Sequence, residues 1–83
     1  MAQQHTVRSY DEDLNRLRGL ITRMGGVAET QLRDATEALA SRSDELAQRV
    51  IANDKALDAL EDETEATAIS IIALRAPMAD DLR

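Results

Sequence analysis

LNRLRGLITRMGGVAETQLRDATEAL, running from Leu14 to Leu39, is the stretch that decides the fold. Leu14, Leu17, Ile21, Met24, Ala28, Leu32, Ala35 and Leu39 recur at steps of three or four residues, the spacing of one face of an α-helix. Leu20 and Val27 widen that face. On the polar side, Glu12–Arg16 and Glu29–Arg33 are acid-then-base pairs four residues apart, the order that supports a helix. The pattern continues for ~30 residues, or roughly 45 Å at 1.5 Å per residue. Gly25-Gly26 in its middle costs about 1 kcal/mol per glycine relative to alanine. Close approach of a neighbouring helix is the expected reason for the pair.

Upstream, residues 1–8 are polar and unpatterned and are expected to be a disordered lead-in. Ser9-Tyr10-Asp11-Glu12 has the spacing of a capping box, with Ser9 and Glu12 each reaching a backbone N–H of the other's turn. Downstream, Ser41-Arg42-Ser43-Asp44-Glu45 supplies a turn, a cap and acids for a new first turn. A second helix follows, with Leu46, Val50, Leu57, Leu60, Thr64, Thr67, Ile71 and Leu74 at helical spacing. Pro77 disfavours helical geometry at Ala76 and is comfortable in a first turn, so it predicts an end near residue 75 and the start of a third helix. The expected fold is all-α: an antiparallel hairpin over about 9–40 and 44–75, with a third helix beginning. One apolar face of such a hairpin stays uncovered, which predicts self-association into a helical bundle, as a homodimer or higher oligomer.

Composition agrees and narrows the function. The 83 residues include no Cys, Trp or Phe, one Tyr and one His, so the core must be aliphatic and no disulfide can brace it. A net charge of −6 opposes nucleic-acid binding, which needs a basic stripe. No apolar run is long enough to span a bilayer, and the N-terminus lacks the apolar core of a signal peptide, so a cytoplasmic protein with no membrane insertion is expected. The sole histidine, His5, falls in the lead-in, which leaves neither a Glu-x-x-His di-iron motif nor a Ser/His/Asp set. No catalytic residue is expected.

The chemically unusual segment is Asp54-x-x-x-Asp58-x-x-Glu61-x-x-x-Glu65. Steps of four, three and four place these carboxylates on one stripe, within roughly 60° of arc. Asp62 and Glu63 add charge, and Lys55 is the single base among residues 54–65. Ala47 and Ile51 continue the stripe backwards, Ala68 and Ile72 forwards, so the acids interrupt an apolar line. Carboxylates at a packing position need protonation, a basic partner or a cation. An all-oxygen set suits Mg²⁺, Mn²⁺, Ca²⁺ or iron. A solvated acidic face explains the same residues without any ligand.

Taken in order, the motifs resemble the first three-helix repeat of the PhoU family. Tyr10-Asp11-Glu12-Asp13-Leu14, Leu17 and Met24-Gly25 are similar to the family's opening helix. Glu45-Leu46-Ala47, Val50-Ile51, Asp54-x-x-x-Asp58 and Leu60-Glu61 are similar to its second. Leu74-Arg75-Ala76-Pro77-Met78-Ala79-Asp80-Asp81-Leu82-Arg83 resembles the junction of helices two and three. The resemblance covers residues 9–83, about a third of a family member. It implies a negative regulator linking a phosphate ABC transporter and its ATPase to a sensor histidine kinase. It also implies a metal site with Asp54 and Asp58 as ligands and Glu61 beside them, completed by carboxylates of a third helix. The ion would be magnesium, manganese, iron or zinc. The alternative reading is a helical oligomerisation or adaptor hairpin with no metal.

Overall fold

The computed structural model describes the backbone of residues 2–81 and the side chains of residues 9–75. It contains two helices, α1 (Ala2–Ser41) and α2 (Asp44–Asp81), forming a rod of 59 × 21 × 17 Å. The connection is short because both of its residues do specific work. Arg42 adopts the left-handed conformation (φ 53°), which turns the chain out of α1 and lets the Ser43 N–H donate to the Ala38 carbonyl at 3.0 Å. Ser43 then caps α2, its hydroxyl accepting from the Leu46 N–H at 3.1 Å and its carbonyl from the Ala47 N–H at 3.0 Å. Asp44 and Glu45 lie in the first turn of α2, where the helix dipole favours negative charge.

The helices are antiparallel. Tyr10 meets Arg75 at the open end, the guanidinium carbon 4.2 Å from the ring centroid. Arg16 reaches Glu63 at 3.9 Å, and the Gln31 side-chain amide donates to the Val50 carbonyl at 2.9 Å near the turn. Residue numbers at facing positions therefore sum to roughly 80.

Between the helices lie Leu20 and Ala38 of α1 and Leu60 and Ile71 of α2, all buried, together with Gln31 and Thr64. Both buried polar groups are satisfied: Gln31 bonds across the interface, and Thr64 donates to the Leu60 carbonyl at 2.7 Å. On α2 the expected stripe is the observed one, except that Leu74 is exposed. On α1 the face turned to α2 is centred on Leu20, Gln31 and Ala38, with Leu17, Met24 and Val27 half-buried at its edges. Leu32 and Leu39, expected on the packed face, are 71% and 81% exposed. The apolar stripe of α1 is wider than one neighbouring helix can cover, so the single face expected there divides into a packed half and an open half.

Three local expectations are corrected. The helix α1 starts at Ala2, so Ser9 lies inside it and is not an N-cap. Nothing in Ala2–Arg8 breaks a helix, and alanine and glutamine favour one. Second, α2 continues through Pro77 to Asp81, with no separate third helix among the described residues. A proline removes one backbone bond and restricts the residue before it, but does not by itself impose a turn, and here the helix continues in spite of Pro77. Third, a Cβ placed on Gly25 or Gly26 would meet nothing within 4 Å, so α2 does not approach there.

Candidate functional site

The site is one side of α2. Residues facing α1 (Leu57, Leu60, Thr64 and Ile71) define the direction of packing. At about 100° per residue, Asp54, Asp58, Glu61 and Glu65 lie roughly 100° around the helix from it. All four are exposed, as are the isoleucines that continue their line, Ile51 at 61% and Ile72 at 67%. The interruption of an apolar line by acids is thus present as expected. Within the described residues no helix covers that line, and the acids face solvent. On α1, Ile21, Leu32 and Leu39 lie roughly 110° from the packing direction, rotated in the same chain sense. In an antiparallel pair, equal rotations in the same chain sense point to the same side. The open halves of both helices therefore form one surface, apolar at its ends and along α1, acidic in the middle of α2.

Asp54, Asp58 and Glu61 share this surface, but among the described residues no group of three or more His, Cys, Asp or Glu side chains is arranged to hold a metal ion. One helix offers the donors from one direction only. Their chemistry fits a hard cation, since every donor is an oxygen and the Asp54–Asp58 spacing puts two carboxylates on adjacent turns. Further ligands would have to come from a facing element.

The acid that sequence reasoning did not single out is Glu63. It lies on the opposite side of α2 from the carboxylate stripe and makes the interhelical pair with Arg16, at 3.9 Å. A shallow groove of about 400 Å³ runs beside it, lined by Asp13, Arg16, Glu63, Thr67 and Ser70. The interhelical signal was present in the sequence as an Arg-rich segment of α1 (Arg16, Arg18, Arg23) opposite the acid-rich segment of α2. It becomes visible only once the antiparallel register is known.

No helix among the described residues is long and apolar enough to cross a membrane. Comparison with known proteins gives a consistent picture. The family model described as PhoU domain matches residues 21–83. A phosphate-specific transport system accessory protein PhoU homolog of Zymomonas mobilis is 53% identical over 79 residues, covering 95% of this chain and 33% of its own. The homolog of Caulobacter vibrioides is 52% identical over 80 residues, covering 96% of this chain and 35% of its own. The phosphate-specific transport system accessory protein PhoU of Escherichia coli is 36% identical over 80 residues, covering 96% of this chain and 33% of its own. This chain spans about a third of the length of the curated relatives it matches. No solved structure matches it significantly. With a family model over most of its length, and relatives similar to it from α1 through α2, the chain belongs to the PhoU family.

Proposed function

We propose that this chain is a segment of a cytoplasmic regulator of phosphate uptake. In this reading it transmits the state of a phosphate ABC transporter, through its ATPase, to a sensor histidine kinase, and holds the starvation response off when phosphate is plentiful. The relatives' description as accessory proteins of a phosphate-specific transport system supports the phosphate link. The role is that of an adaptor, not a catalyst.

The observation that carries the chemical part is the exposed carboxylate stripe bounded by exposed isoleucines on the flank of α2, beside the face packed on α1. A surface of that kind is unfavourable in isolation, because it leaves apolar area in water and sets like charges one turn apart. A cation together with a facing helix relieves both. Asp54 and Asp58 would hold the ion, with Glu61 next to them. The ion would supply a compact positive charge fixing this face against whatever packs on it. A second reading, a hairpin that docks other helices without metal, is favoured by the exposure of all four acids in the hairpin alone.

The test uses a bacterium in which the full-length relative replaces the resident accessory protein, with Asn at the positions matching Asp54 and Asp58. A reporter of the phosphate-starvation response is expected to switch on in phosphate-rich medium. Continued repression, with the variant at normal abundance, contradicts the metal-dependent regulatory role.

A further inference from the structure

Packing between the two helices is uneven along the rod. Towards the open end the buried residues are Leu20, Leu60, Thr64 and Ile71; towards the turn they are Gln31 and Ala38. Between these two groups lies a waist. Facing positions sum to roughly 80, so residues 21–30 of α1 run opposite residues 50–59 of α2. None of the side chains in these two stretches is buried: Met24, Val27, Val50 and Leu57 are half-buried and the rest are exposed. Two shallow hollows, of about 400 and 290 Å³, open at this level and share Arg23, Val27 and Ala56 as walls. The small side chains that α2 presents there, Ala56 and Ala59, leave them unfilled. The apolar contact that holds a two-helix fold together is therefore thinnest at mid-length.

Both helices are also locally weak at the waist. Gly25 and Gly26 lie inside α1, where glycine is the least favourable residue after proline. A Cβ on either meets nothing within 4 Å, so no close packing requires them. On α2, Asp54 and Asp58 are exposed one turn apart, a like-charge pair that disfavours the helix. We propose that the waist is a hinge: α1 opens at Gly25-Gly26 while the two ends of the hairpin stay packed. The N–H groups of residues 26–29 donate to the carbonyls of residues 22–25 across the glycine pair, and these are the bonds that break. The turn end stays held by the Gln31–Val50 bond and the Ser43 cap. The open end stays held by Leu20, Leu60 and Ile71 and by the Tyr10–Arg75 contact. A joint at this level lets the two ends of the rod take different angles to the surfaces they bind, which suits an adaptor. It does not depend on the metal reading.

Hydrogen–deuterium exchange of the whole chain, resolved by residue with NMR and run in EDTA so that no cation bears on the result, tests this. Protection factors at residues 26–29 are expected at least tenfold below those at residues 17–20 and at residues 35–38. Gly25→Ala/Gly26→Ala should raise protection at 26–29 at least tenfold, because the opened segment then contains no glycine. Gly19→Ala separates the hinge from overall stability. That glycine also lies in α1 with open space around it, but next to buried Leu20 and outside the waist. The substitution should raise protection at 17–20 roughly fourfold and leave 26–29 unchanged. Parallel gains at both places mean that the waist exchanges only when the whole hairpin unfolds, which overturns the hinge. Even protection along α1 overturns it as well, as does a steady decline from the turn to the open end, which is fraying.

Discussion

Replacing Gly25 and Gly26 by alanine should stabilise the hairpin. Both residues lie inside α1, where glycine is less favourable than alanine by about 0.8–1.0 kcal/mol, because the unfolded chain loses more freedom there. The usual counterweight, a neighbouring backbone too close for a methyl group, is missing: a Cβ at either position meets nothing within 4 Å. The two methyls project about 100° apart on the helix and do not touch a shared partner, so the effects should add, to about 2 kcal/mol. For a chain of this size, 1 kcal/mol moves the melting temperature by about 4–8 °C, which predicts a rise of about 8–16 °C for the double variant. Circular dichroism at 222 nm during a thermal ramp, in EDTA so that the hairpin alone is read, gives the value. A urea titration checks that the midpoint shifts without a change in slope. An unchanged or lowered melting temperature refutes the reasoning and means that something packs on the glycines in solution.

Other consequences follow from the same coordinates. Arg42→Gly should stabilise by about 1 kcal/mol, since Arg42 holds a left-handed conformation that costs a residue with a Cβ roughly that amount; urea unfolding reads the difference. Ser43→Ala removes the hydroxyl that caps α2 at the Leu46 N–H and should destabilise by about 1 kcal/mol in the same assay. Leu60→Ala should cost about 2–3 kcal/mol, at the lower end of leucine truncations because even the interface of this two-helix fold leaves Leu60 8% exposed. Arg16→Ala should change stability by less than about 1 kcal/mol, because its pair with Glu63 spans 3.9 Å between side chains that are both more than half exposed.

Much of the architecture can be read from residue spacing. The 3.6-residue periodicity of Leu14–Leu39 and of Leu46–Ile71 identifies both helices, and the Ser41–Glu45 segment identifies the turn between them. Which part of a wide apolar stripe is packed cannot be read in this way. The α1 stripe spans more arc than one partner covers, and the choice of Leu20, Gln31 and Ala38 as the contact depends on how α2 sits across from them. Gln31 shows why: its buried amide is stable only because the Val50 carbonyl lies 2.9 Å away, nineteen positions along the chain. Helix ends were legible only in part, because Ser9 has cap chemistry that the chain does not use and Pro77 interrupts hydrogen bonding without ending α2. The candidate site was legible as a stripe of four acids with apolar ends. That both ends are open, and that the open side of α1 adjoins them, depends on how the two helices pack, which residue spacing does not show.

The central claim is that Asp54 and Asp58 form part of a cation site and not merely a wetted surface. Electron paramagnetic resonance addresses it directly, since Mn²⁺ free in water gives a six-line spectrum that weakens when protein ligands bind the ion. The account predicts that the wild-type chain depletes this signal and that Asp54→Asn/Asp58→Asn leaves it at the level of buffer. Equal depletion by both proteins, or by neither, would contradict it.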